Sequence, residues 1–284
     1  MRLITTLFAT LLALTPLAAH AAEAPARESA YDRVMRTGTL RCGYIVIPPH
    51  VIKDPNTGAM SGVIVDMMNE AAKLLEIKVE WAEEVGWGNT VEALKGGRVD
   101  AICVNYWMNP VEGRFVGFSM PFYYSTVGAY VRADDHRFDA GLAPLNDPTM
   151  KVATVEGSIS GVIARQDYPR ATVSTLPNLT DTSQVLLEVS TGKADLTFAD
   201  NFMGQQFMAA NPSKLRNVTV DHPVRAFPST IALPSGEVQL KTMIDSAFVQ
   251  LLYSGFVDRT LTRYNVPASA IYRVARPYET PHSE

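Results

Sequence analysis

Hydrophobic and polar positions follow two different periods along this chain. Apolar residues at 64, 67, 68, 71, 74 and 75 fall on one face of a helix, and Leu240, Ile244, Phe248 and Leu252 recur every four residues. Met67, Met68 and Phe248 sit on these stripes and are expected in the core. Residues 78–81 alternate with the period of a half-buried strand. The runs 40–46, 100–104, 151–155 and 194–199 are short and apolar, as suits strands buried on both faces of a parallel sheet. Further helices are expected near 162, over 182–190 and around 257–264. Asn89 stands three residues before Glu92, the spacing of a capping box, so another helix is expected from there to Gly96-Gly97. Pro48-Pro49 ends the first strand, and 55–58 reads as a turn.

One junction occurs twice. Leu94-Lys95-Gly96-Gly97-Arg98-Val99-Asp100-Ala101-Ile102 is answered by Ser190-Thr191-Gly192-Lys193-Ala194-Asp195-Leu196-Thr197-Phe198. In each, a helical pattern stops at glycine, a basic residue follows, and an aspartate opens an apolar run. Glycine accepts the left-handed backbone that ends a helix, and a cation there complements the helix dipole. The repeat points to two similar α/β lobes with a ligand cleft between them. Residues 129–132 and 230–233 read as two strands crossing between the lobes. Lobe 1 is then discontinuous, 30–131 plus 228–284, lobe 2 is 132–227, and the crossings form a hinge.

At 284 residues, with 47% hydrophobic and 19% charged, the composition is that of a globular chain long enough for two lobes. The net charge of -4, without a basic run, argues against a nucleic-acid partner. Met1-Arg2 leads into an apolar run that ends in Ala19-His20-Ala21, a signal-peptide pattern over 1–21 with cleavage near Ala21. A membrane anchor is the alternative, but the run is short and interrupted by threonines. Residues 22–28 are expected as a loose leader. Cys42 and Cys103 both lie in strand-like runs; a disulfide would need those strands to be adjacent, and two buried thiols is the favoured reading. His50, His136 and His222 are scattered, so no metal site is read, and no cofactor.

The order of motifs carries a resemblance. Pro48-Pro49, Gly62-Val63-Ile64-Val65-Asp66, Trp87, Gly97-Arg98-Val99-Asp100 and Phe118-Ser119-x-Pro121-x-Tyr123-Tyr124 come in the first part, then Gly157-Ser158, Gly192-Lys193-Ala194-Asp195 and Asp200. Together they resemble the extracellular solute-binding proteins of the polar amino acid uptake type, the periplasmic receptors of ABC importers. The resemblance implies a periplasmic-binding-protein type II fold and a monomer that closes on a small solute and docks on a membrane permease.

What it implies for the site departs from the family at one point. The position of the arginine that grips a ligand carboxylate is occupied by Glu112, with Arg114 two residues on. Either Arg114 takes over, or Glu112 pairs with it, or the clamp is absent, since a glutamate would repel a carboxylate. Asp200 matches the aspartate that receives the ligand ammonium; its plain alternative is a helix cap. Ser158 and Ser160 open a helix whose N–H groups can hold an anion, or they cap it. Tyr44, His50, Trp87, Asn105, Tyr106 and Trp107 are the expected lobe 1 side of the pocket; the aromatics could cage a cation or simply pack. Tyr123 and Tyr124 are expected near the hinge. The expected ligand is an amino acid or an amine-like cationic compound. Two rivals remain: a dehydratase-like enzyme on the same fold, for which no catalytic pair is visible, and a ligand-sensing module.

Overall fold

Both aspartates of the repeated junction reach back to the first strand of their own half. The computed structural model describes residues 28–274. It begins with α1 (Ala30–Thr37), β1 (Thr39–Tyr44), the small strands β2 (Ile52–Lys53) and β3 (Met60–Ser61), α2 (Val63–Leu74), β4 (Lys78–Glu84), α3 (Thr90–Lys95) and β5 (Ala101–Trp107). Asp100 accepts the Arg41 backbone N–H at 2.9 Å, and its own N–H donates to the Arg41 carbonyl at 2.8 Å. The guanidinium groups of Arg41 and Arg33 neutralise it.

The chain continues through β6 (Val116–Phe118), β7 (Tyr123–Arg132), β8 (Lys151–Val155), α4 (Ile159–Asp167), β9 (Thr172–Leu176), α5 (Gln184–Ser190) and β10 (Leu196–Asp200). Asp195 repeats the device: it accepts the Lys151 N–H at 2.8 Å, returns its own N–H to the Lys151 carbonyl at 2.8 Å, and pairs with Arg137 at 2.6 Å. The glycines that stop the preceding helices, Gly97 and Gly192, have φ of 63° and 76°. After β10 come α6 (Asn201–Ala210), β11 (Leu215–Asn217), β12 (Arg225–Pro234), α7 (Val238–Tyr253), α8 (Phe256–Arg263) and β13 (Ile271–Tyr272).

The main sheet runs β4-β1-β5-β12-β7-β10-β8-β9. Each end repeats one arrangement, with the first strand of the half in the middle and parallel to both neighbours. Between the ends, β7 and β12 cross the molecule as an antiparallel pair, Arg225 opposite Val127 through Ser229 opposite Tyr123. A buried Ser125–Ser229 hydroxyl bond of 2.8 Å joins them. β5 and β10 are buried along almost their whole length, as their apolar runs require. Met67, Met68 and Phe248 are core residues, and α2 and α7 pack together over the sheet.

Two expectations are corrected. Cys42 and Cys103 form a disulfide, Cα–Cα 5.5 Å apart, because β1 and β5 are neighbours in the sheet and bring the two side chains within bonding range. The capping box at Asn89 does not form: residues 87–89 make a 3-10 turn that runs straight into α3, so Asn89 is already in helical backbone and its side chain caps nothing. α6 escaped the sequence reading because its sequence, NFMGQQFMAA, lacks a clean apolar stripe. The expected signal peptide over 1–21 lies outside the described residues. No helix among the described residues is long and apolar enough to cross a membrane.

The disulfide joins residues 61 apart in sequence, a loop whose closure is worth roughly 4 kcal/mol in the chain-entropy account. Urea unfolding should therefore show a markedly lower midpoint for the Cys42→Ala, Cys103→Ala double variant than for the oxidised protein. Coincident unfolding curves would contradict the bond.

Candidate functional site

The strand ends decide what meets at the centre. β5 delivers Asn105, Tyr106 and Trp107; β10 ends at Asp200; β12 enters with Arg225 and Phe227; and the turn before α4 carries Ser158. Together with Trp87, Glu112 and Ser160 they wall a cavity of about 320 Å³. Eight of the residues singled out in the sequence line it: Trp87, Asn105, Tyr106, Trp107, Glu112, Ser158, Ser160 and Asp200.

Three are not brought to the cavity. Tyr44 turns its hydroxyl to the Lys53 ammonium at 3.0 Å and its ring to the edge of Trp81. Arg114 lies over the Phe115 ring at 5.0 Å, and its Nε donates to the Val111 carbonyl at 3.4 Å. His50 is buried behind Asp200, with Nε2 3.3 Å from Asp200 Oδ1. The sequence reading in turn missed Gln166, Met203, Arg225 and Phe227. Phe227 stacks on Trp107, centroids 5.2 Å apart, a pairing set by the register of the crossing strand, which no local motif signals.

The cavity's polar atoms are unevenly satisfied. Asp200 Oδ1 caps α6, accepting the N–H groups of Phe202 at 2.8 Å and Met203 at 3.2 Å. Its Oδ2 is buried with no partner, as are Asn105 Oδ1 and the Trp107 Nε1–H. Buried polar atoms are nearly always paired in folded proteins, so three unpartnered ones on residues that line a single cavity make it the candidate place for a polar guest. Ser158 does not cap α4; its hydroxyl donates to the Val155 carbonyl at 2.7 Å and lies 2.7 Å from the Ser160 hydroxyl.

Glu112, also in the wall, is half-buried. Its backbone N–H donates to Asn109 Oδ1 at 3.0 Å, the Asn109 amide donates to its carboxylate, and the Tyr106 hydroxyl is within reach of it. Burial raises its pKa above the ordinary 4.5, against those hydrogen bonds, which lower it. Burial and then the Glu112 charge push the Tyr106 phenol up, so it stays a donor; its oxygen lies 2.8 Å from Thr90 Oγ1. The cation in the wall, Arg225, is engaged by Asp167.

At Trp87 and beside it, segments far apart in sequence touch. Trp87 Nε1–H donates to Thr182 Oγ1 at 3.3 Å, and the Gly88 N–H donates to Asn178 Oδ1 at 2.8 Å. Gly157, at φ 78°, lies so close that an added Cβ would stand 2.4 Å from the Gly88 nitrogen.

The raised pKa of Glu112 gives a signed expectation. The folded protein holds this proton at pH values where the unfolded chain has released it, so the group costs stability at neutral pH and nothing below about pH 4.5. Glu112→Gln should raise the melting temperature near neutral pH, with the gain fading as pH falls through that range. A gain independent of pH would show that charge burial is not its cause.

Comparison with known proteins agrees with this architecture. The description "Bacterial extracellular solute-binding proteins, family 3" matches residues 40–267. The probable ABC transporter extracellular-binding protein YckB of Bacillus subtilis (strain 168) is 26% identical over 215 residues, covering 74% of this chain and 72% of that protein. The crystal structure of AncCDT-1, an ancestral amino acid-binding protein and precursor of cyclohexadienyl dehydratase, superposes with a TM-score of 0.74 at 25% identity, covering 84% of this chain and 99% of that one. The cysteine-binding protein from Campylobacter jejuni shares the fold at a TM-score of 0.75 and 20% identity, covering 86% and 99%. With more than half its length matched, the chain belongs to the bacterial extracellular solute-binding proteins, family 3.

Proposed function

We propose that this chain is a monomeric receptor that captures a small solute bearing an amine or other cationic group and delivers it to the permease of an ABC importer. The observation that carries the reading is the unpartnered Oδ2 of Asp200, a residue of the cavity wall, with Glu112 in the same wall and Arg225 already engaged by Asp167. An ammonium or guanidinium against Oδ2 would complete that carboxylate. The rings of Trp87, Tyr106, Trp107 and Phe227 would take the apolar body and add face attraction for a cation. Asn105 Oδ1 would accept a donor from the solute, and the Trp107 N–H would donate to it.

Glu112 in place of the clamp arginine argues for a solute that does not depend on its α-carboxylate. Any anionic group would fall to the first turn of α4, where Ser158 leaves the helix N–H groups uncapped by its side chain. Arg114 takes no part, being turned to Phe115 and Val111. Lobe 1 is taken as 30–131 plus 228–284 and lobe 2 as 132–227; β7 supports a division of this kind, pairing with β12 and β13 over 123–127 and with β10 and β11 over 127–132, which favours a crossing nearer Val127 than Val131. Bending at β7 and β12 would open the cleft, and the Trp87–Thr182 and Gly88–Asn178 contacts would seal it. Residues 1–21 would direct export to the periplasm. Capture and release leave the solute chemically unchanged, so the reading is non-catalytic.

A thermal-shift and calorimetric screen over amino acids, amines, betaines and small organic acids tests this. L-arginine and agmatine belong in it because they differ by one carboxylate. A bound solute at 100 times its dissociation constant stabilises the protein by about 2.7 kcal/mol. Asp200→Asn keeps a capping oxygen for α6 but removes the charge, and should weaken binding about ten-fold or more. Glu112→Arg should favour amino acids over amines. Silence across the panel, or full affinity in Asp200→Asn, would overturn the reading.

A further inference from the structure

His50 is a buried titratable residue for which the cavity has no direct use: it is 1% exposed and does not line the wall. Its backbone is nevertheless firmly placed. The His50 N–H donates to the Ile47 carbonyl at 2.9 Å, and the Ile64 N–H at the start of α2 donates to the His50 carbonyl at 3.0 Å. Gly62 approaches so closely that an added Cβ would stand 2.5 Å from the His50 carbonyl oxygen. The ring lies against Tyr123 of β7, centroids 6.4 Å apart, and meets Phe202 of α6 edge-on at 5.6 Å.

Both ring nitrogens are engaged. Nδ1 lies 3.1 Å from the Tyr123 hydroxyl, and Nε2 lies 3.3 Å from Asp200 Oδ1. Tyr123 is fully buried, and desolvation together with the Asp200 charge pushes its pKa up, so its hydroxyl keeps its proton and is the donor to Nδ1. In a neutral ring the remaining hydrogen is then on Nε2 and points at Asp200. Oδ1 thereby has three donors, the N–H groups of Phe202 and Met203 and the His50 ring, while Oδ2 has none. A carboxylate held through one oxygen by three donors from two different parts of the chain has little freedom to turn.

We infer that His50 is a positioning residue. It holds the Asp200 carboxylate through Oδ1 and leaves Oδ2 for the solute, and it links that carboxylate to Tyr123 on the crossing strand β7. His50 stands 150 residues from Asp200, in a loop that follows β1, whereas Asp200 ends β10. The Tyr123–His50–Asp200 chain therefore spans the two sides of the molecule, and the solute's cation would be recognised only where both sides are in place. Binding groups need this kind of support to stay within a fraction of an ångström of their working geometry. The inference rests on the reading of Asp200 as the cation receptor, but its first test needs no solute.

The ring spectrum is the first measurement. The full chain, labelled with 15N in its histidines and recorded without added solute, should show the His50 signal, identified by its loss in His50→Gln, as the tautomer with Nε2 protonated and Nδ1 accepting. Asp200→Asn and Tyr123→Phe should each shift it. An Nδ1-protonated ring, or a signal unmoved by Asp200→Asn, overturns the inference. Agmatine affinity is the second. His50→Leu should weaken it about ten-fold, the usual scale for losing a hydrogen bond to a charged group. His50→Gln, which keeps an N–H donor at the same reach, should restore it to within about three-fold. Equal losses in the two variants overturn the inference. Failure of the unaltered protein to bind agmatine counts against the solute reading alone, and the ring spectra still decide the placement of His50.

Discussion

The paired strands β7 and β12 are the constraint on which the molecule turns. Their antiparallel ladder is the junction between two sheets that would otherwise be separate, and the register fixes what each sheet brings to the middle. β12 bonds to β5 on one side, and β7 bonds to β10 on the other. A slip of one residue would turn every side chain on those strands to the opposite face. Phe227 would lose Trp107, and Tyr123 would turn away from His50. The buried Ser125–Ser229 hydroxyl bond fills the centre of this crossing with two small polar groups that satisfy each other.

Around that crossing the charge is arranged with a purpose. The aspartates that open β5 and β10 are neutralised: the buried Asp100 by Arg41 and Arg33, the partly buried Asp195 by Arg137. In the cavity the balance is left acidic, with Glu112 and Asp200 set against one arginine that is already committed to Asp167. Neither Glu112 nor Asp200 is paired with a guanidinium, and a desolvated carboxylate is costly unless something completes it. The apolar remainder of the wall, led by the Trp107–Phe227 stack, lowers the local dielectric and makes that completion worth more.

Much of this was legible in the residues, and the limits of legibility are physical. The doubled glycine–basic–aspartate junction announced two similar halves because helix termination and strand entry are local events, governed by a few adjacent residues. Asp200 was marked by its place in the order of motifs that carries the family resemblance; the local pattern alone read equally as a helix cap, which Oδ1 also is. The same resemblance singled out Glu112, through a loop matched without a gap, and the residue lines the cavity. Partnerships across the sheet were beyond reach. Whether Cys42 meets Cys103 depends on which strand lies beside β1, a choice made by packing over the whole half. The neighbours of His50 and the stacking of Phe227 depend on how the halves are set against each other, and no spacing encodes that. The failed capping box at Asn89 is a reminder that a polar residue three positions before a glutamate can equally sit inside a tight turn that is already helical.

The single covalent cross-link divides the molecule unequally. It ties β1 to β5 within the first part of the chain, and both of the chain's cysteines are spent on it, so the stretch between β7 and β12 has no tether of its own. Reduction would remove a loop constraint from the first part of the chain and leave the pairing of β8 with β9 and β10 untouched. The chain therefore has one part whose bonding answers to redox conditions and one part whose bonding does not.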